Sequence, residues 1–143
     1  LVQEAVFEDR PALVMRADHP LLASERVGSD MLRYPWVLPG RETPLRRYWQ
    51  DMIREAGNEP PPVAVECGSV MTIRQLLLAG DGLTLLSPAQ VTVELDAGLL
   101  AEMQTPSPIR RTIGITCREG WRPTAAQAGF LAQLRECGAP SSP

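Results

Sequence analysis

Residues Tyr34 to Gly57 read YPWVLPGRETPLRRYWQDMIREAG. A short apolar run, Tyr34 to Leu38, carries prolines at 35 and 39 that confine its regular part to a very short strand. From Pro44 the spacing changes. Leu45, Tyr48, Trp49, Met52, Ile53 and Ala56 fall at i, i+3, i+4, i+7, i+8 and i+11, with arginines, Gln50, Asp51 and Glu55 between them, which predicts an amphipathic helix of about four turns. Its ends are marked as well. Thr43 suits the N-cap, Pro44 the first helical position where no N–H is needed, and Gly57 a left-handed residue past the end. On this reading Trp49 lies on the apolar face and is core, not a stacking platform for a sugar.

The same strand-loop-helix grammar repeats outward in both directions. Upstream, Ala12 to Met15 (ALVM) is a buried strand and His19-Pro20 a turn. Downstream, Pro60 to Pro62 hold the chain extended before a strand at Val63 to Cys67, and Gly68-Ser69 then cap a helix over Val70 to Ala79. Leu83 to Leu86 is a further strand. A short helix follows from Ser87-Pro88 toward Leu95, then an extended run at Leu99 to Met103. A last strand spans Arg111 to Arg118, and a final helix starts at Thr124, where Gln127 completes a capping box. Alternation of this kind predicts an α/β fold with parallel strands and helices on both faces, the doubly wound arrangement.

Composition narrows the function. The chain has 143 residues, one ordinary domain in size, and a net charge of -3 with a pI near 5.2, which argues against direct contact with nucleic acid. All 14 basic residues are arginine, a bias that weakens each of them as a sign of a site. Cys67, Cys117 and Cys137 are odd in number and widely spaced, so they read as buried thiols in a reducing cytoplasm and not as disulfides or a metal site. With His19 as the one histidine, no metal or cofactor is expected. No apolar run is long enough to cross a membrane, so no membrane partner is expected either. The chain begins at Leu1 inside an apolar-polar pattern and reads as a piece of something longer.

The candidate site follows from the fold class. Open α/β sheets bind ligands beyond the carboxyl ends of their strands, where the first turns of the next helices present unpaired N–H groups. Here those places are the loop Pro39, Gly40, Arg41, Glu42, Thr43 and the turn Gly68, Ser69, Val70. Two helix starts, a hydroxyl and a guanidinium there suit one acidic or polyhydroxylated small molecule. The plainer reading makes Thr43 and Ser69 helix caps only and Arg41 a solvated loop residue.

Several segments together carry a resemblance: FEDRPALVMRADHPLL, DMLRYPWVLPGRETPLRRYWQDMIREAG, VECGSVMTIRQLLLAGDGLTLLSP, ELDAGLLAEM and RRTIGITCREGWRPTAAQAGFLAQLRE. In this order and spacing they resemble the effector-binding domain of LysR-type transcriptional regulators, and WRPTAAQ is similar to the subgroup with regulators of a galactose-binding protein gene. The resemblance implies two lobes similar to type 2 periplasmic binding proteins, with a small effector in the cleft. It also implies a homo-oligomer that meets DNA only through an N-terminal domain not in this chain. Residues 1–16 would then be a crossover strand from a truncated first lobe, 17–103 a complete second lobe, 104–138 the return crossover with the last strand and helix, and 139–143 a loose tail. The family's second-lobe effector contacts fall on the same two loops. Strands Ala12 to Met15 and Thr112 to Cys117 and helix Thr124 to Arg135 would carry apolar faces in need of cover.

The expectation is a cytoplasmic effector-sensing domain and not an enzyme. One rival is a lobe of a solute-binding protein serving a transporter. The other is a small enzyme of flavodoxin-like or Rossmann type, against which stands the absence of GxGxxG after a strand and of any Ser/His/Asp or Cys/His set.

Overall fold

A computed structural model describes residues 1–138; the expected tail at 139–143 lies outside them. The chain divides into two compact units, Arg10–Ile109 and Leu1–Asp9 with the segment from Arg110 onward.

In the first of these, strand β2 (Ala12–Arg16) lies between β5 (Thr84–Leu86) and β6 (Leu100–Met103), antiparallel to both. Strands β3 (Trp36–Leu38) and β4 (Val63–Glu66) pair in parallel, and Trp36 bridges to Leu83 in parallel, which carries the sheet on to β5. Thr84 seals that junction, its buried hydroxyl donating to the Val37 carbonyl at 2.6 Å. Consecutive strands β3, β4, β5 and β6 therefore run one way, as alternation with helices predicts. The expectation of parallel pairing fails at β2, which inserts between β5 and β6 in the opposite sense. No local pattern encodes that insertion, because the partners of β2 lie some seventy to ninety residues downstream along the chain.

Helices cover both faces of this sheet. Helix α2 (Pro44–Glu55) lays Leu45, Trp49, Met52 and Ile53 against Leu13, Met15, Trp36, Leu38, Leu83 and Leu85. The alternate residues Val14, Val37 and Leu86 point the other way, onto Ile73 and Leu77 of α3 (Val70–Ala79) and onto Val91 and Leu100. Trp36 and Trp49 meet edge to face with centroids 5.4 Å apart. The expected caps hold: the Thr43 hydroxyl accepts the Arg46 N–H, that of Ser69 accepts the Thr72 N–H, and Gly57 turns left-handed at φ 79°. Ser87-Pro88 opens a 3-10 turn at Pro88–Gln90, and a short α4 (Thr92–Asp96) follows; a one-turn α1 (Val27–Asp30) lies upstream. Arg74 of α3 pairs with the buried Glu94 of α4.

His19 is more than a turn residue. It is 2% exposed, its Nδ1 accepts the Leu21 N–H, and its Nε2 therefore carries the proton and donates to the Asp81 carbonyl at 3.2 Å. Arg16 bonds the Asp81 carboxylate beside it and also pairs with Asp18. The turn after β2 is thus tied to the turn before β5.

The second unit pairs β1 (Val2–Asp9) antiparallel with β7 (Arg111–Cys117), with a register shift between Ala5 and Phe7. Helix α5 (Ala125–Gly138) opens with the expected capping box: Thr124 N–H donates to Gln127 Oε1 at 2.9 Å and Gln127 N–H to Thr124 Oγ1 at 3.4 Å. Arg135 of α5 forks onto Glu4 of β1, and Arg111 bonds Asp9. Phe7, Ile113, Phe130 and Leu134 are exposed, as apolar faces without cover should be. Ala12 to Met15 depart from that expectation, since they are the buried centre of the other unit's sheet. The thiols depart as well: Cys67 and Cys117 are half-buried and Cys137 is exposed, because they sit at a strand end, on a two-stranded sheet and on an uncovered helix.

Candidate functional site

The site is built where β3 and β4 end. Because they are parallel neighbours, their following loops leave the same edge, and the Cys67 N–H donates to the Leu38 carbonyl at 2.9 Å to extend the ladder into the loops. After β3 the chain turns tightly. The Gly40 carbonyl accepts both the Thr43 N–H at 3.0 Å and the Thr43 hydroxyl at 2.8 Å, which leaves Pro39 and Gly40 half-buried and lifts Arg41 and Glu42 into solvent. After β4, Gly68 and Ser69 are exposed and Val70 half-buried. The Cys67 thiol accepts the Ser69 N–H at 3.4 Å, and the Ser69 hydroxyl accepts the Thr72 N–H at 3.4 Å.

Seven of the eight residues expected at the site are thereby on two adjoining loops at one sheet edge, and the eighth, Val70, opens α3 beside them. They differ in what they have left to offer a ligand. Thr43 has spent its hydroxyl proton on Gly40 and its oxygen on the Arg46 N–H, so its first duty is to hold the loop. Ser69 uses its oxygen as a cap, and its hydroxyl hydrogen is free to be donated. Arg41 has no hydrogen bond or ion pair among the described residues. At the start of α3 the Val70 and Met71 N–H groups have no partner among the described residues, whereas at the start of α2 Pro44 has no N–H and the Arg46 and Arg47 N–H groups are taken by Thr43. Both helices turn the positive ends of their dipoles to this edge.

Arg46 and Glu66 belong to the same place and were not among the expected site residues. Arg46 stands in the first turn of α2 yet is 5% exposed. Its Nη1 donates to the Pro39 carbonyl at 3.1 Å and reaches Glu66 Oε2 at 3.5 Å, and its guanidinium carbon lies 5.3 Å from the centroid of the Trp49 ring. The other Glu66 oxygen, Oε1, is 3.6 Å from where a side chain on Gly40 would begin. One clue was available: Arg46 is three residues before a core tryptophan, a helical neighbour of the apolar stripe. Among the described residues no group of three or more His, Cys, Asp or Glu side chains is placed to hold a metal, and no helix is long and apolar enough to cross a membrane.

A sheet with helices on both faces and two capped helix starts at one edge is the architecture of a small-ligand lobe, and comparison with known families agrees. The LysR substrate binding domain family matches residues 1–138, and the chain belongs to that family. Among curated proteins it is 28% identical over 137 residues to the HTH-type transcriptional regulator GalR of Pseudomonas putida, covering 95% of this chain and 34% of that protein. It is 30% identical over 125 residues to the HTH-type transcriptional regulator CbbR of Xanthobacter flavus, covering 84% and 38%. The chain thus spans little more than a third of these relatives' length. Among solved structures, the Synechocystis CcmR regulatory domain in complex with 2-PG superposes with a TM-score of 0.78 at 19% identity, over 98% of this chain and 68% of that one. At such identity the likeness is one of fold.

Proposed function

We propose that the chain is an effector-sensing part of a bacterial LysR-type transcriptional regulator, and that it binds a small acidic or hydroxyl-rich metabolite at the loops Pro39 to Thr43 and Gly68 to Val70. The observation that carries this reading is the pairing of two helix starts with an unpartnered Arg41 and a Ser69 hydroxyl at one sheet edge. Such a site receives anions and polyols through N–H groups, a guanidinium and one free O–H, and it needs no cofactor or reacting group. The unit Arg10–Ile109 takes the part of the second lobe, and the exposed apolar side chains of the other unit are those a fuller first lobe would cover. Binding acts by favouring one arrangement of a homo-oligomer over another, which repositions DNA-binding domains elsewhere in the regulator, in the cytoplasm. Family membership favours this over a transporter's solute-binding lobe and over an enzyme.

The test is calorimetry on the full-length regulator with its effector. Arg41→Ala should weaken binding by about 1.5–3 kcal/mol, the worth of a lost charge-assisted hydrogen bond. Unchanged affinity removes Arg41 from the site. Turnover of the bound metabolite would show the chain to be an enzyme.

A further inference from the structure

Arg46 is an under-satisfied cation. It is buried, and its Nε lies out of reach of water with no hydrogen-bond partner. Nη1 rests on one carbonyl and on a carboxylate oxygen at 3.5 Å, the outer limit of a hydrogen bond, while the Glu66 side chain is itself 52% exposed. A guanidinium offers a planar fork that two carboxylate or phosphate oxygens fill together, and Glu66 fills one prong loosely. The helix makes matters worse. Arg46 is in the first turn of α2, at the positive end of the macrodipole, and no acidic residue stands in that turn to offset it. A buried charge so poorly compensated is costly to keep unless a second anion arrives. Its position fits such a visitor, because its two partners are the carbonyl of Pro39, in the first loop of the candidate site, and Glu66, the last residue of β4 just ahead of the second.

We propose that Arg46 is the charge that receives a carboxylate or phosphate group of the effector, and that Glu66 is an internal counterion which that group displaces. In the empty site Glu66 caps the guanidinium through one long contact. The incoming group takes the fork, and Glu66 swings out into the solvent it already half occupies. This deepens the reading of the two loops as an effector site and rests on it. It also narrows the ligand class to anions, since a neutral polyol would have no reason to displace Glu66.

The experiment uses the full-length regulator, with oxalate and inorganic phosphate as anionic probes and D-galactose as a neutral one, measured by calorimetry. One of the two anions should bind the unaltered protein. Glu66→Gln should tighten that binding several-fold by removing a competing negative charge; Arg46→Gln should weaken it by about tenfold to a hundredfold, and the double variant should stay weak. A carboxylate whose neutralisation improves anion binding is a signature that a merely structural role would not produce. If Arg46→Gln fails to fold, Glu66→Gln and Arg46→Lys carry the test, since lysine keeps the charge but loses the fork. Three results overturn the proposal: no binding of either anion, tighter binding of D-galactose than of both, or indifference to Glu66→Gln. If Arg41→Ala and Ser69→Ala weaken the anion while the Arg46 and Glu66 variants do not, the proposal falls and the two loops remain the site. If none of the four changes matters, the loops fall with it.

Discussion

Trp49 offers the sharpest test of packing against function, because an aromatic residue beside a proposed small-molecule site invites a stacking role. It is 1% exposed, meets Trp36 edge to face, and lies beneath the Arg46 guanidinium. A tryptophan buries about 150–250 Å², which at about 25 cal/mol per Å² is roughly 4–6 kcal/mol. Alanine keeps a little of that and the surroundings relax in part, so Trp49→Ala should cost about 3–5 kcal/mol. With a urea slope of about 1.5 kcal/mol per molar for a small domain, the unfolding midpoint should fall by about 2–3 M, measured by far-ultraviolet circular dichroism. Trp49→Phe should cost less than half as much. Phenylalanine keeps a ring against Trp36 and removes an indole N–H that is buried without a partner. A Trp49→Ala protein that unfolds at the unaltered midpoint yet loses its ligand would show that the tryptophan faces the effector and not the core.

Other outcomes follow from the ion pairs and glycines. The Arg16 guanidinium holds the Asp18 carboxyl below its ordinary 3.8 and that of Arg135 holds Glu4 below its ordinary 4.5, so both contribute stability that is complete above those values and lost as pH falls through the lower folded ones. The effect is modest because both are exposed. An Asp18→Asn, Glu4→Gln double variant should show a flatter fall of urea midpoint with acid than the unaltered chain, and equal slopes would contradict the pairing. Gly114→Ala would set a methyl 2.5 Å from the Glu4 carbonyl oxygen, pushing β1 from β7 at a cost of about 1–3 kcal/mol in a urea titration. Gly129→Ala, with nothing within 4 Å of the new carbon in α5, should instead stabilise by about 0.5–1 kcal/mol in the same measurement.

Much of the fold was legible because local rules and packing agree. The spacing from Leu45 to Ile53 reflects one buried helix face, and Thr43, Pro44 and Gly57 mark its ends by backbone chemistry that needs no distant partner. The loop residues were legible for the same reason, since strand ends followed by caps define them. Three things were not. The apolar-polar pattern at Leu1 marks an extended segment, but the antiparallel pairing of β1 with β7 depends on partners about a hundred residues downstream. The antiparallel insertion of β2 depends on partners remote in the chain. Arg46 reads as a solvent-facing charge until the Pro39 loop folds back over it, and its burial is visible only in three dimensions.

The central claim is that the loops after β3 and β4 together hold the effector. Mapping of amide chemical shifts across the regulator's effector-binding domain during titration with its effector tests it most directly. The largest shifts should fall on Gly40 to Thr43 and Gly68 to Thr72, the residues that line the proposed ligand position. Shifts confined to β1, β7 and α5, with those loops silent, would contradict it.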